Sequence, residues 1–221
     1  MENITLNLEE NDYRSVEAFK ALRTSLEFSG MENRVLAFTS CTPSEGKSTV
    51  SLHIAKSLSD MGKKVLFVDA DMRKSMHYSK YGRGKNIQGL SHFLSDQVEL
   101  KDVLCKTEYE GLSMIFSGPV PPNPAELLSG KKFESFINAA GNHYDYVIVD
   151  TPPVGNVIDG AIAGKKCDAI VLVVKANAIS RKYVRKTKEQ LEQLGCKILG
   201  VVLNGVDMKK DKYYGKYYGD Y

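Results

Sequence analysis

Apolar residues fall along this chain in two rhythms, and their alternation predicts the fold. Short, nearly unbroken apolar runs occupy 34–39, 65–68, 112–116, 146–150, 169–174 and 198–203. Runs of that length without polar alternation read as strands buried on both faces. Between them lie segments with helical spacing. Val16, Phe19, Leu22 and Leu26 predict an amphipathic helix over 13–28, with Glu17, Lys20 and Arg23 sharing another face. Leu52, Ile54, Ala55 and Leu58 predict a helix over 47–61, ended by Gly62. Shorter helical patterns cover 89–94, 100–104, 125–128 and 132–139, and Ser180 caps a basic helix over 181–194. The proline run over 118–124 must be an extended connection. Strands alternating with helices predict an α/β fold of the P-loop NTPase type. Its sheet is mostly parallel, with helices on both faces and right-handed crossovers.

Residues 1–12 are polar and read as a flexible arm, 13–206 as the domain, and 207–221 as a flexible tail. Five of the twelve tyrosines, Tyr213, Tyr214, Tyr217, Tyr218 and Tyr221, crowd into that tail, which points to a functional segment. The net charge of +3 is spread along the chain and gives no reason to expect nucleic acid. The four cysteines (41, 105, 167 and 196) lack metal-ligand spacing and read as thiols in a reducing cytosol. No signal peptide is read at the start, and no apolar run approaches the ~20 residues that span a bilayer. The expected location is cytoplasmic, with any membrane contact made through a partner.

The candidate chemistry sits at the strand ends. SCTPSEGKST (40–49) links a strand to a helix, as a phosphate cradle does. Backbone N–H groups and the helix N-terminus would face the anion, with Lys47 on the outer phosphates and Ser48 on Mg²⁺. Thr42, Pro43, Ser44, Glu45, Gly46, Lys47, Ser48 and Thr49 are the candidate nucleotide-binding residues. Cys41 stands where the usual template has its first glycine, so the assignment rests on the strand and helix around it. Asp69 and Asp71 lie two residues apart, so an extended backbone would aim both carboxylates the same way. Asp150 ends another strand and is placed to hold the metal, with Ser48. One of the extra pair would support the metal while the other accepts a hydroxyl proton. Arg73 could pair with a phosphate or a carboxylate.

Three segments together, 40–49, Phe-Val-Asp-Ala-Asp-Met-Arg (67–73) and Val-Ile-Val-Asp-Thr-Pro-Pro (147–153), resemble the bacterial tyrosine kinases of capsule and exopolysaccharide synthesis. Pro-Pro-Asn-Pro-Ala-Glu-Leu-Leu (121–128) and the tyrosine cluster extend the resemblance over nearly the whole chain. It implies ATP-dependent autophosphorylation of the tail, mainly between neighbouring subunits of an oligomer, and regulation of polysaccharide synthesis and export. It also implies a membrane-embedded co-polymerase as modulator, which recruits the chain to the inner face of the membrane, and a cognate tyrosine phosphatase. Carried over by position, Lys47 binds phosphate, Asp69 is the base, Asp71 and Asp150 support Mg²⁺, and Asn204 reads adenine. Glu17, Lys20 and Arg23 fall on the family's oligomerisation motif, with Lys20 where the family has arginine. Ser44 replaces the family's glycine.

Two other functions share this fold. One is an ATPase switch like the septum-placement and partition proteins, which carry an early loop lysine where this chain has Thr42. The other is a nucleotide-dependent binding module that regulates a polysaccharide machine without physiological kinase activity.

Overall fold

A computed structural model describes residues 2–6, 8, 12–81, 87–155 and 157–206. In chain order, its elements begin with β1 (Glu2–Ile4), α1 (Tyr13–Glu27), β2 (Val35–Ser40), α2 (Lys47–Ser59), β3 (Val65–Asp69) and α3 (Met76–Tyr81). The middle holds α4 (Leu90–Leu94), α5 (Leu100–Val103), β4 (Leu104–Thr107), β5 (Leu112–Ile115), α6 (Pro124–Ser129) and α7 (Lys131–His143). The last third is β6 (Tyr146–Asp150), α8 (Asp159–Lys165), β7 (Ala169–Lys175), α9 (Arg181–Gln193) and β8 (Ile198–Asn204). One sheet runs β1-β4-β5-β3-β6-β2-β7-β8. Its strands from β5 to β8 are mutually parallel, while β4 pairs antiparallel with β5 and parallel with β1. The mostly parallel sheet expected from the apolar runs is present.

Both faces of the central sheet are covered, as strands without polar alternation require. β8 is not buried as its apolar run predicts: it lies at the sheet edge, with Val201 and Leu203 half exposed. On one face Phe38, Phe67, Met114, Ile148 and Val171 pack with Ile54 and Leu58 of α2 and Leu26 of α1. On the other, Leu66, Val68, Val147 and Val149 pack with Phe133, Phe136 and Ile137 of α7. Arg23 of α1 donates to the Ser57 carbonyl at 3.1 Å and to its hydroxyl at 3.2 Å. Phe19 stacks on His53 with ring centroids 4.9 Å apart. These contacts seat α1 along α2.

Two further strands depart from the sequence expectation. Residues 2–6 are no loose arm: β1 is an edge strand on β4, and Ile4 and Leu6 are buried. Ile4, Leu6 and Leu8 alternate with polar residues, a period-two pattern too short to stand out before its partner strand is known. The partner, β4, begins at Leu104, where the helical pattern over 100–104 already ends after Val103. Pro124 opens α6 and does not extend the connection before it, because a helix's first turn needs no N–H from it. The tail, 207–221, lies outside the described residues.

Candidate functional site

Three parallel strands deliver their carboxyl ends to one place. β6 lies between β2 and β3, and Asp150 at its end is in register with Asp69 of β3 and Phe38 of β2. The loop after β2 turns back through two left-handed residues, Ser44 (φ 64°) and Gly46 (φ 86°). Glycine suits this position because its φ of 86° is one that L side chains rarely adopt, and an added Cβ would also displace the Asn204 amide, 2.0 Å away. Ser44 holds a conformation that disfavours an L residue by about 1–2 kcal/mol. Glu45 braces the loop from inside. Its carboxylate accepts from the Cys41 and Thr42 backbone N–H groups at 2.9 and 3.3 Å and from the Thr42 hydroxyl at 3.1 Å. Asn204, at the end of β8, donates to the Glu45 carbonyl at 2.9 Å and clamps the loop from outside.

Lys47 opens α2 and is almost wholly buried. Its Nζ donates to Asp150 Oδ1 at 2.8 Å and to Ser48 Oγ at 2.9 Å. Ser51, one turn on, donates to the same Asp150 oxygen at 3.1 Å. His77 of α3 places Nε2 3.4 Å from Asp150 Oδ2, yet neither atom has a hydrogen-bond partner among the described residues. Burial alone would push the Asp150 carboxyl up. The Lys47 ammonium, with help from His77, holds it well below the usual carboxylate range.

The β3 carboxylates differ in setting. Asp69 is fully buried, accepts from the Ser75 hydroxyl, and accepts from the Asp71 N–H at 3.2 Å. Burial, reinforced by the charges of Asp150 and Asp71, pushes its carboxyl up to about 6 against the opposing pull of His77 and Ser75. Asp71 lies past the end of β3, where the chain turns, so strand alternation no longer aims it with Asp69. It accepts from the Arg73 and Lys74 N–H groups at 3.3 and 3.0 Å. Arg73 itself is in a bidentate pair with buried Asp159 of α8, at 2.6 and 3.1 Å.

A cavity of about 630 Å³ opens over this arrangement, lined by 43–49, Asp71, Arg73 and Pro152-Pro153; the buried Asp69 and Asp150 are not among its lining residues. A larger hollow, about 870 Å³, lies against Phe93, Leu100 and Lys132 and shares no residue with the phosphate loop. The structure thus gathers Lys47, Ser48, Asp69, Asp71 and Asp150, with Asn204 against the loop. The five tail tyrosines lie outside the described residues. Glu17 and Lys20 stand apart on α1, paired to each other at 2.7 Å. Sequence reasoning did not single out Ser51, Ser75, His77 or Asp159. Ser51 sits one turn beyond Ser48 on the same helix, a usable signal, but the other three are isolated polar residues outside any motif.

A parallel sheet with a glycine-lysine-serine loop at its carboxyl edge and an aspartate on the adjacent strand defines a P-loop nucleotide-binding domain. The AAA domain family matches residues 33–198. The septum site-determining protein MinD of Pyrococcus horikoshii, complexed with Mg-ADP, shares the fold at 24% identity and a TM-score of 0.65, covering 77% of this chain and 69% of that one. Higher likeness leads elsewhere. The tyrosine-protein kinase CpsD of Streptococcus agalactiae is 45% identical over 206 residues, 92% of this chain and 90% of that protein. The kinase domain of Escherichia coli tyrosine kinase ETK superposes with a TM-score of 0.82 at 40% identity, covering 86% of this chain and 75% of that one. The chain belongs to the bacterial tyrosine kinases of capsule and exopolysaccharide synthesis, and it is a protein-tyrosine kinase. No helix among the described residues is long and apolar enough to cross a membrane.

Proposed function

We propose that this kinase transfers the terminal phosphoryl group of ATP to tyrosines of its own tail, mainly between neighbouring copies, and so regulates polysaccharide synthesis and export. The observation that supports it most is the meeting of Lys47, Asp150 and Asp71 beside the Gly46 loop, with Asp69 close behind. Lys47 and the loop N–H groups bind the phosphates, and Asn204 steadies the adenosine end. The donor set fits magnesium: Ser48, Asp71 and Asp150 offer hard oxygens, and Asp150 Oδ2 is buried without a hydrogen-bond partner among the described residues. No group of three His, Cys, Asp or Glu side chains that could hold a metal occurs among those residues. When bound, magnesium would neutralise charge on the phosphate oxygens.

In the transfer, the phenol oxygen bonds to the γ-phosphorus as the bond to the ADP oxygen breaks, and the phenol proton passes to Asp69. With Asp69 at about 6, its gap to an ordinary phenol is roughly four pKa units. A loose transition state asks little charge of the nucleophile, so positioning carries most of the catalysis. Asp71 lines the cavity and Asp69, fully buried, does not, so the proton has to pass beyond the lining residues to reach Asp69.

Glu17, Lys20 and Arg23 serve the contact between copies in this reading, and a membrane-embedded modulator recruits and activates the assembly. A cognate phosphatase resets it. Incubation with ATP and Mg²⁺, with and without the cytosolic peptide of a candidate modulator, should build phosphotyrosine on the tail. Changing Tyr213, Tyr214, Tyr217, Tyr218 and Tyr221 to Phe should remove most of it, whereas label mapped by mass spectrometry to other residues would contradict the tail as acceptor. Glu17→Ala with Arg23→Ala should lower both light-scattering mass and labelling; an unchanged mass would leave α1 as a packing helix only.

A further inference from the structure

Helix α9 carries its charges against its own dipole. Arg181, Lys182, Arg185 and Lys186 fill its first two turns, all exposed, while Glu189 and Glu192 lie in its second half. The N-terminal end of a helix is its positive end, where cations are disfavoured. A helix built only for stability would carry the reverse order. Arg185 is paired with Glu189 at 3.6 Å, but both side chains are more than half exposed, so the contact is worth little. Arg181, Lys182 and Lys186 form no ion pair among the described residues.

An apolar strip lies beside this charge. α9 packs on Leu172 and Val174 of β7 through Val184. Leu172 is in register with Val201 and Val174 with Leu203 of β8, so these two share the sheet face that α9 covers. β8 is the outermost strand, and the helix leaves them open: Val201 is 52% exposed and Leu203 50%. The side of α9 nearest them is basic. Tyr183 turns the other way, toward the phosphate loop: a Cβ added to Gly155 would lie 2.7 Å from its hydroxyl, and the Gly155 N–H bonds the Cys41 carbonyl. Arg181, Arg185 and Lys188 form the opposite stripe, at i, i+4 and i+7. Cations beside exposed aliphatic side chains match a bilayer with acidic headgroups, which attracts the first and takes up the second. A soluble polyanion would use the charge and leave Val201 and Leu203 in water.

We propose that the corner formed by the N-terminal half of α9 and the outer edge of β8 docks directly on an anionic lipid surface. This goes beyond the kinase reading, because it concerns where the domain sits and holds whichever residue accepts the phosphoryl group. α9 starts and β8 ends at the carboxyl edge of the sheet, where the phosphate loop lies. Docking there brings the nucleotide site up to the membrane, within reach of a membrane-embedded partner. Each cation near such a surface strengthens binding about fivefold. Four of them give a weak, reversible contact that salt breaks.

The test floats the full chain, without ATP or modulator, with vesicles of phosphatidylcholine alone or mixed equally with phosphatidylglycerol. The parent should bind the mixed vesicles, ignore the neutral ones and be released by high salt. Arg181→Gln, Lys182→Gln, Arg185→Gln and Lys186→Gln together should weaken that binding by about a hundredfold or more. Their melting temperature should not fall, because the helix N-terminus is relieved of cations, so the loss is not one of folding. Val201→Ser with Leu203→Ser should weaken binding by about tenfold and leave its salt dependence as it was. The tail lysines, Lys209, Lys210, Lys212 and Lys216, remain in every variant. Binding retained by the glutamine variant would therefore belong to them and overturn the proposal. Equal binding to neutral vesicles, or none to either kind, overturns it too. If the parent ignores vesicles but binds a tyrosine-phosphorylated peptide of residues 212–218, and the glutamine variant does not, the patch belongs to the tail instead.

Discussion

The loops that follow β2 and β3 flank the same strand and face the same cavity, yet they are built in opposite ways. After β2, one acidic side chain turns inward to brace the backbone, and Lys47 at the start of the helix is held on Asp150. After β3, Asp69 is drawn inside and Asp71 is held at the wall by backbone N–H groups. The first loop fixes its backbone around a buried ion pair. The second stores proton affinity by keeping a carboxylate away from water. Asp150 lies between them and is claimed by the first loop: Lys47 lowers its proton affinity while the neighbouring Asp69 has its own raised. Two carboxylates on adjacent strands are thereby driven apart in pKa, as the proposed division between metal binding and proton transfer requires.

The contrast breaks most severely at Lys47. Lys47→Met should reduce tail labelling by about a thousandfold or more. It should also lower stability by on the order of 3–5 kcal/mol, because Asp150 is left buried without its cation. Lys47→Met combined with Asp150→Asn should recover most of the melting temperature and none of the labelling. A single variant that melts like the parent would show that the buried pair does not hold in solution.

Asp69→Asn should act in opposite directions on activity and stability. Labelling should fall by about a hundredfold or more, as for loss of a general base. Stability near neutral pH should rise by on the order of 3 kcal/mol, the equivalent of raising this carboxyl from 3.8 to about 6. The folded chain binds that proton more tightly than the unfolded chain. Asp69 therefore stabilises fully below about 4, and the benefit is lost as pH rises through about 6. In melts without nucleotide or divalent metal, the advantage of Asp69→Asn over the parent should open between pH 4 and 6 and stay constant above. Asp150 contributes in the reverse sense: its stabilisation is present above the ordinary carboxylate value and lost as pH falls through its lowered one. An advantage for Asp69→Asn that does not vary with pH would contradict the raised pKa.

Smaller effects sharpen the picture of the β2 loop. Asn204→Ala removes the outer clamp on Glu45 and should weaken nucleotide binding by about fivefold, the worth of one hydrogen bond; equal affinity by calorimetry would leave Asn204 without a part in the site. Ser44→Gly relieves the left-handed strain at φ 64°. It should add at most about 1 kcal/mol, since glycine also gains freedom in the unfolded chain. A loss of stability there would mean that the serine side chain makes contacts outweighing its backbone strain.

Much of this molecule is set by local pattern. The central strands β2, β3, β6 and β7 are buried on both faces, so their apolar runs leave no choice of element, and each ends where its polar cluster begins. That Gly46, Lys47, Ser48, Asp69, Asp71 and Asp150 gather at one sheet edge was legible, because each follows or ends an apolar strand of a parallel sheet. The edge was less legible. β1 and β4 become strands only through each other and β5, and a three-residue strand has no preference strong enough to declare itself alone. Ser75, His77 and Asp159 also matter only through contact with residues far along the chain. Asp159 meets Arg73, and His77 meets Asp150, because sheet order brings together loops that sequence separates. Above all, the opposed proton affinities of Asp69 and Asp150 come from burial and from which one faces Lys47. Both end apolar strands and look alike in the sequence; strand order and the reach of one lysine make them different.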